Sequence, residues 1–396
     1  MTAPAAPVRP DRASRAPGGG DCQVASRVFL HIGLPKSGTT FLQTTMWANR
    51  SLLRRRGLLY PGNERLDHYQ AFQQVRQARP REGGAETGAW DRLSAALRAW
   101  DGDGLVSHEF FCLASPEQAS RVVADLAPAE VHVVVTARAY WLQFPAIWQE
   151  ALKMNYDGGF DQFMAEAFAG ERRGAWGWSS QDLPTILGTW SQIVPPDRVH
   201  VITVPPPGSP RDLLWKRWVA TLGLDDSGFD LGVAYPNESL GAAQAALLRR
   251  VKPYLSGPLT DGPTRHRWVR RYFGHEVLVP QKGARFSPSG SYLDELGRRS
   301  HAAVEAIRAG GYAVTGDLDD LLVECPATDG PHPDRVSDEE IVDVAAQAIE
   351  QMIRDMRAMT LERDEWRRRA RSRGATGSGA KARRLVGRLR SRGRHD

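Results

Sequence analysis

Residues 28–43 read V-F-L-H-I-G-L-P-K-S-G-T-T-F-L-Q. The stretch begins with an apolar run typical of a buried strand, passes through a loop of small residues with a lysine, and ends in the apolar periodicity of a helix. The free N–H groups of a first helical turn and the helix dipole both favour an anion at such a junction. Gly33 and Gly38 permit tight turning and a close approach of backbone to ligand. The sequence therefore predicts a phosphate-binding loop between a strand and a helix.

The position of the lysine indicates which kind of phosphate the loop would hold. A Walker A loop, G-x-x-x-x-G-K-[ST], carries its lysine directly after the second glycine. Gly33 and Gly38 have the Walker spacing, but Thr39 stands where the lysine would be and Lys36 lies inside the loop. The pattern therefore argues against an ordinary ATP-binding loop. A turn of small residues that merely starts a buried helix is the structural alternative.

The segment Pro35–Phe41, P-K-S-G-T-T-F, resembles the 5′-phosphosulfate loop of the sulfotransferases that use PAPS (3′-phosphoadenosine 5′-phosphosulfate). The resemblance extends over roughly residues 26–325. It implies a catalytic role for Lys36, which would stabilise the charge developing on the departing 5′-phosphate. The residues that it implies for donor binding are Pro35, Lys36, Ser37, Gly38, Thr39, Thr40 and Phe41. Phe41 takes the place of a tryptophan that stacks on adenine in related sequences, and a role in the core is the alternative.

Two candidate bases follow a later apolar run. The segment 105–111 reads L-V-S-H-E-F-F, and its Ser107-His108 pair resembles the Thr-His pair that ends a sulfotransferase strand. There the histidine, with an ordinary pKa of about 6.5, takes the proton of the acceptor hydroxyl. Glu109 is the alternative, because some carbohydrate sulfotransferases use a glutamate base. If residues 105–109 form a strand, the two side chains point to opposite faces, unless the strand ends between them. The resemblance favours His108.

Arg138 ends the stretch V-V-V-T-A-R, after a predicted strand and before a predicted helix. Its position resembles the 3′-phosphate site of the family, where the planar guanidinium holds a phosphate bidentately. An ion pair at the start of the helix is the structural alternative. Many family members carry a serine eight residues later, whereas this chain has Ala146, and Gln143 on the same helix could substitute for that contact.

The segment 281–286, Q-K-G-A-R-F, resembles the late R-K-G segment that closes over the same 3′-phosphate. Lys282 and Gly283 match, and Arg285 could assist. A solvated loop is the alternative, since Lys-Gly pairs are common in loops.

Strands alternate with helices along the chain, which predicts an α/β fold: a single P-loop-like domain with a parallel sheet flanked by helices on both faces, and a C-terminal helical extension. The predicted strands are Arg27–Ile32, Gly104–Phe110, Val131–Ala137 and Val199–Val204. The predicted helices are Thr39–Arg55, Trp141–Met154, Pro184–Val194, Arg211–Leu222 and Leu240–Tyr254. The predicted boundaries are a disordered segment over residues 1–25, the α/β domain over 26–325, a linker and amphipathic helix over 326–370, and a basic flexible tail over 371–396.

The C-terminal region has its own pattern. Ser337 and Glu340 form a Ser-x-x-Glu capping box that predicts the start of a helix. Its apolar residues recur at three- and four-residue spacing, so the helix should pack on the body of the protein or on another copy, as a homodimer. These residues are Ile341, Val344, Ala345, Ala348, Ile349, Met352 and Met356.

Charge is unevenly distributed along the 396 residues. The whole chain carries +6, but residues 361–396 hold 13 Lys/Arg against 4 Asp/Glu, a net of +9 that leaves −3 for residues 1–360. The body therefore gives no sign of specific nucleic-acid binding. The basic tail could lie on an anionic membrane surface, bind nucleic acid nonspecifically or stay in solvent.

The remaining features bound the class of protein. No apolar run approaches the ~20 residues of a membrane span, and the N-terminus lacks the apolar region of a secretory signal. Cys22, Cys112 and Cys325 are widely spaced and form no metal pattern. We therefore expect a cytoplasmic protein whose site needs no metal. It would be peripheral to the membrane if the tail binds lipid. The acceptor could be a small molecule, a glycan or a lipid. The alternatives are an ATP- or GTP-dependent small-molecule kinase and a catalytically silent fold relative that acts as an interaction module.

Overall fold

The computed structural model describes residues 25–77, 88–172, 174–232, 239–326 and 330–392, with side chains as far as Arg371. The segment predicted to be disordered falls almost entirely on residues outside the described part. The chain forms two compact units that alternate along the sequence. The first comprises residues up to 137, 182–234 and 305–320, and the second comprises residues 138–181, 235–304 and 321 onward.

A parallel sheet forms the centre of the first unit. Its strands are β1 (Arg27–Gly33), β2 (Leu58–Leu59), β3 (Asp103–Ser107), β4 (Glu130–Ala137), β5 (Val199–Thr203) and β6 (Ala313–Thr315). They lie in the order β2-β3-β1-β4-β5-β6, and every neighbouring pair is parallel. The central strands read as continuous apolar runs because parallel sheets are covered on both faces. The predicted α/β class, with a parallel sheet flanked by helices and a C-terminal helix, is confirmed.

Helices make up most of the rest of the described chain. They are α1 (Thr39–Ala48), α2 (Arg50–Arg55), α3 (Asp67–Arg76), α4 (Ala89–Arg98), α5 (Pro116–Asp125), α6 (Tyr140–Lys153), α7 (Phe160–Phe168), α8 (Leu183–Ser191), α9 (Leu213–Thr221), α10 (Ala242–Val251), α11 (Gly262–Arg265), α12 (Gly290–Ala309) and α13 (Asp338–Arg392). A π-helix spans His266–Leu278. Short 3₁₀ turns lie at Glu109–Leu113, Trp178–Ser180, Pro196–Arg198, Lys252–Tyr254, Gly257–Thr260, Val279–Gln281 and Leu318–Leu321.

The core of the first unit explains why β1 and α1 are fixed so firmly. Phe29 of β1 packs with Leu42 and Met46 of α1 and with Trp215 and Trp218 of α9, all of them almost fully buried. Buried aromatic and aliphatic side chains of this size contribute roughly 1.5–3 kcal/mol each to folding. The loop that joins β1 to α1 is therefore held at both ends by the hydrophobic core.

Two predicted boundaries were wrong for local reasons. The predicted helix Thr39–Arg55 is broken at Asn49, whose side-chain amide donates to the carbonyls of Thr45 at 2.8 Å and Asp230 at 2.9 Å, and whose Oδ1 accepts from the Asp230 N–H at 2.9 Å. The predicted strand Gly104–Phe110 ends at Ser107, where a 3₁₀ turn takes over. Both units contain residues of the span 26–325 that the sequence treats as one domain, and that domain boundary stays a prediction.

Aromatic packing organises the second unit. Trp148 of α6, Phe160 of α7 and Phe286 pack against one another, with ring centroids 5.2–5.5 Å apart. Such edge-on pairs add to the energy of burial. Trp148 is fully buried, as is Trp190 of the first unit. Both are core residues.

The C-terminal helix α13 begins as predicted, since Ser337 Oγ accepts from the Glu340 N–H at 3.2 Å and the Glu340 carboxylate accepts from the Ser337 N–H at 2.9 Å. The helix then continues to Arg392 and so differs from the predicted flexible tail after residue 370. No proline interrupts residues 338–392, and each glycine costs a helix only about 1 kcal/mol relative to alanine. No helix among the described residues is long and apolar enough to cross a bilayer.

We predict that acid destabilises the fold through its buried histidines. Burial lowers the pKa of His31 to about 3, and burial likewise lowers the pKa values of His68 and His200 to about 4. The unfolded chain binds these protons from about pH 6.5 downward, whereas the folded chain does not. Stability is therefore full above about pH 6.5 and falls toward pH 4, by up to about 1.4 kcal/mol per pH unit for each histidine.

Urea unfolding at a series of pH values measures this slope. His68→Gln should make the slope shallower by up to one proton, while the same change at the exposed His301 should leave it as it is. An equal stability at pH 4.5 and pH 7 would contradict the prediction.

Candidate functional site

The loop 34–38 leaves the carboxyl end of β1, the third strand of six in the sheet. Lys36 adopts left-handed backbone geometry with φ of 65°, and Gly38 follows with φ of 85°. The left-handed turn favours glycine at position 38, and a side chain there would also displace the end of the Leu214 side chain, 2.6 Å away. In parallel sheets ligands bind at the carboxyl ends of the strands. The loop therefore lies where an α/β fold places its ligand.

The N-terminus of α1 is arranged as an anion site. The helix starts at Thr39, and no side chain caps it. The N–H groups of a first helical turn have no acceptor within the helix, so an external anion can accept them. Thr40 is exposed, Lys36 is half-buried, and Thr39 is buried at 3% exposure. Thr40 and Lys36 are thus the side chains of the loop best placed to reach a ligand from solvent.

A chain of hydrogen bonds runs beneath the loop. His31 of β1 is fully buried; its Nδ1 lies 2.7 Å from Ser107 Oγ of β3 and its Nε2 lies 3.3 Å from Thr136 Oγ1 of β4. Thr136 Oγ1 lies 2.6 Å from Ser37 Oγ, which donates to the Leu34 carbonyl. The Leu34 N–H in turn donates to the Thr136 carbonyl at 2.9 Å. Three neighbouring strands are thereby bonded to the loop.

The protons along this chain can all point in one direction. Since Ser37 Oγ gives its only proton to Leu34, the Thr136 hydroxyl donates to Ser37 and accepts from His31 Nε2–H. His31 Nδ1 then accepts from the Ser107 hydroxyl. The assignment requires a neutral imidazole, which agrees with the strongly lowered pKa of His31. Fully satisfied buried networks of this kind fix one geometry.

The chain of hydrogen bonds changes the interpretation of one predicted residue, Ser37, and adds two residues to the candidate site. The sequence predicts that the Ser37 hydroxyl holds phosphate, but that hydroxyl is buried and donates to the loop's own backbone. Ser37 therefore shapes the loop. His31 and Thr136 were missed in the sequence, although each is a polar residue inside an otherwise apolar strand. Such residues need a hydrogen-bond partner when they are buried. A polar residue within an apolar strand was therefore the feature of the sequence that could have identified them.

His108 lies at the end of β3, in extended backbone, and its N–H donates to the His31 carbonyl at 3.0 Å. Its Nδ1 accepts from the Phe110 N–H at 3.2 Å and so caps the 3₁₀ turn. Burial lowers the pKa of His108, against the opposing effect of Glu109, so the ring is neutral at pH 7. A neutral ring whose Nδ1 accepts a hydrogen bond carries its proton on Nε2. In this arrangement neither ring nitrogen offers a free lone pair.

Glu109 packs directly against the start of the phosphate loop. A side chain at Gly33, whose φ is 107°, would meet the Glu109 carbonyl oxygen at 2.7 Å. Its carboxylate Oε2 accepts from the Gln43 side chain of α1 at 3.0 Å. Burial raises the pKa of Glu109, while a protonated His108, the residue's own N–H and Gln43 lower it, and the net shift is below its ordinary value. At neutral pH, where His108 is neutral, the hydrogen bonds from its own N–H and from Gln43 are what favour the ionised carboxylate beside the loop.

The predicted 3′-phosphate residues lie in the second unit. Burial and, after it, the positive charge of Arg285 lower the pKa of Arg138 to about 10, so the two cations lie near enough to repel each other. Lys282 is exposed, with left-handed backbone at φ of 55°. Gln143 is fully buried near the start of α6. Two neighbouring guanidinium groups repel each other, and an anion bound between them would relieve that repulsion.

The structure also bears on the predicted role of Phe41. Phe41 is half-buried and packs against the core of the first unit, which supports the core alternative for this residue.

In the second unit, Asp161, His332 and Asp334 bring potential metal ligands within 4.8 Å of one another. However, Asp334 already accepts the N–H groups of Phe160 and Asp161 at 3.0 and 2.9 Å. The cluster therefore caps helix α7, and its carboxylate needs no ion.

We predict that Thr136→Val loosens the phosphate loop without unfolding the protein. Valine keeps the shape of threonine but cannot bridge His31 and Ser37, so two buried hydrogen bonds are lost at roughly 1 kcal/mol each. Faster amide exchange of residues 34–38 and weaker binding of inorganic sulfate at the loop should result. The matched control Thr185→Val, at an exposed position of α8, should change neither. Unchanged exchange in the Thr136 variant would contradict the role of the hydrogen-bond chain.

Comparisons with known proteins find similarity among solved structures. No protein-family model and no curated protein matches the chain. Among solved structures, a sulfotransferase from Alicyclobacillus acidocaldarius is similar over 52% of this chain and 85% of its own, with 18% sequence identity and a TM-score of 0.38. At these values the likeness says nothing about substrate or mechanism, which the residues of the site have to decide.

Proposed function

We propose that the protein is a sulfotransferase that transfers a sulfuryl group from PAPS to a hydroxyl or amine acceptor. The observation that carries the proposal is the loop 34–38, with its uncapped helix N-terminus and with Lys36 inside the loop where Thr39 takes the Walker lysine position. A lysine at that point reaches the ligand from within the loop, which suits a leaving 5′-phosphate better than the γ-phosphate of ATP. The anion cradle supports a phosphate ligand, and the resemblance of Pro35–Phe41 supports PAPS as the donor.

In the proposed reaction, the acceptor oxygen or nitrogen forms a bond to sulfur while the bond from sulfur to the 5′-phosphate oxygen breaks. The acceptor proton passes to a base, and the leaving group departs as PAP (3′-phosphoadenosine 5′-phosphate). Such a transfer depends on in-line positioning and on stabilising charge at the leaving oxygen. Lys36 and the N–H groups of the first turn of α1 would supply that stabilisation. No step in this scheme requires a metal ion.

For the base, the geometry supports Glu109 over the His108 that the sequence favours. His108 uses Nδ1 to cap the turn through the Phe110 N–H, which leaves a proton on Nε2. Glu109 is bound on one oxygen by Gln43, which favours its ionised form, and it retains lone pairs that can take the proton of the acceptor. His108 could then donate from Nε2 to the acceptor oxygen and help to orient it. We assign the proton transfer to Glu109 and the orientation to His108.

Substitution of the two residues tests this assignment. Glu109→Gln keeps the shape of the side chain but removes its basicity, so kcat should fall by ~10²–10⁴-fold with PAP affinity nearly unchanged. His108→Asn retains an oxygen that can cap the turn in place of Nδ1, so a much smaller loss is expected. The measurement is steady-state turnover of an acceptor found by screening with radiolabelled PAPS.

Lys36→Ala provides the comparison within the same assay. It should reduce both kcat and PAP affinity, because the cation meets the 5′-phosphate in the ground state as well as in the transition state. If His108→Asn abolishes turnover while Glu109→Gln barely changes it, histidine is the base and the present assignment is wrong.

Nucleotide binding tests the proposed donor independently of the acceptor. We predict that PAP binds more tightly than AMP and that ATP with magnesium does not compete with it. Arg138→Gln should weaken PAP by roughly 10–100-fold, the worth of a charge-assisted bidentate contact, and leave AMP unaffected. The control Arg271→Gln, at an arginine of the same unit that is 73% exposed, should change neither affinity.

Isothermal titration gives these affinities directly. Equal affinity for PAP and AMP would show that Arg138 and its neighbour Arg285 hold no 3′-phosphate. Tight binding of ATP with magnesium would favour the kinase alternative.

A further inference from the structure

The long helix α13 carries apolar residues on two faces, one of them buried and the other exposed. One face lies against the second unit: Val344 and Ala348 are buried, and Tyr272 donates to the Asp355 carboxylate at 2.9 Å. On a neighbouring face, large apolar side chains remain 38–64% exposed: Val342, Ile349, Met352, Ile353, Met356, Met359 and Trp366. The single amphipathic stripe predicted from the sequence therefore divides into a covered face and an uncovered one.

The uncovered face follows the spacing of a coiled coil. Its members alternate by three and four residues through Val342, Ala345, Ile349, Met352, Met356, Met359, Arg363 and Trp366, a set that we call the seam. A strict alternation of this kind is the a/d pattern by which one helix packs along another. The seam continues beyond residue 356, where the side chains of α13 are nearly all exposed. It therefore offers more than three helical turns of unpartnered apolar surface.

The charges along α13 identify the partner. Residues 338–356 contain six Asp/Glu and one Arg, whereas residues 357–371 contain six Arg and three Asp/Glu. A second copy of the helix running antiparallel would place its basic part beside the acidic part of the first, and the reverse. A parallel pair would bring like charges together. The helix is thus complementary to its own reversed copy.

The seam also matches itself in that orientation. When the two helices cross at Arg354, Met352 faces Met356 of the second copy, Ile349 faces Met359, and Val342 faces Trp366. Ile353 then meets its own counterpart near the two-fold axis. Antiparallel coiled coils pack a residues against d residues, as these pairs do, because the seam is symmetric about Arg354.

We propose that α13 joins two copies of this chain as an antiparallel coiled coil through the seam. The contact is isologous, so it closes at a dimer and does not extend into a filament. Glu339 of one copy would lie beside Arg367 of the other at each end of the pair, which fixes the register by charge.

Sedimentation velocity of the full chain measures the association. The wild-type chain should be dimeric, and the double variant Ile349→Glu, Met356→Glu should be monomeric with an unchanged circular dichroism spectrum. Leu361→Glu is the matched control, because Leu361 is an apolar residue of the same helix, 51% exposed, on the side away from the seam. It should remain dimeric. A wild-type chain that stays monomeric at every concentration would overturn the proposal.

Disulfide trapping tests the orientation. Ile353→Cys should cross-link to its counterpart on oxidation, because the two residues meet near the axis. Ile349→Cys should not, since its counterpart lies ten residues away along the pair, about 15 Å at 1.5 Å per residue. The wild-type chain, with Cys22, Cys112 and Cys325, serves as the blank. Cross-linking of Ile349→Cys without Ile353→Cys would indicate a parallel pair and overturn the proposal.

Charge reversal tests the register. Glu339→Arg should weaken the dimer, and adding Arg367→Glu in the same chain should restore it, because the antiparallel pair then regains two opposite-charge contacts.

Vesicles of phosphatidylserine and phosphatidylcholine test the competing occupant of the seam. A monomeric chain that pellets with these vesicles, and loses this binding in the Ile349→Glu, Met356→Glu variant, would assign the seam to a lipid surface and overturn the proposal.

Discussion

The hydrogen-bond chain from Ser107 through His31 and Thr136 to Ser37 holds the phosphate loop to the sheet. A loop of small residues has little side-chain surface of its own to bury, so it needs an anchor to keep one conformation. The chain provides that anchor because β1 lies between β3 and β4, and each strand contributes one polar side chain to the same buried layer. A neutral, fully bonded histidine can occupy this layer, whereas a charged one would be costly to bury.

The same region shows how neighbouring residues can exchange roles. In sequence, His108 and Glu109 are two titratable groups at a strand end, and only a resemblance ranks them. The strand in fact ends at Ser107, so the alternation of side chains between faces does not apply to the next two residues. The turn that follows uses the His108 ring as its cap, and it places the Glu109 backbone against Gly33 and the Glu109 carboxylate on the Gln43 side chain. Backbone hydrogen bonding at the turn therefore determines what the His108 ring is bonded to.

The C-terminal helix illustrates a similar division. Sequence periodicity predicts one apolar stripe on α13, from Ile341 to Met356, because residues three and four apart are neighbours on either of two adjacent faces. Packing against the second unit covers Val344 and Ala348 and leaves Ile349 and Met356 exposed. The charge reversal along the helix was present in the sequence from the start. It supports an antiparallel pairing of two copies only once the uncovered face of the helix is known.

By itself the sequence determined the fold class, the order of most strands and helices, the position of the loop between β1 and α1 and the capping box of the last helix. Each of these depends on residues close together in the chain, where hydrophobic periodicity and local hydrogen bonding decide the conformation. The tertiary structure alone decided the partners of His31 and Thr136, the tautomer of His108, the neighbours Arg138 and Arg285, and the face of α13 that stays uncovered. These depend on contacts between distant segments, and burial and hydrogen-bond satisfaction act on such contacts only after the chain has folded.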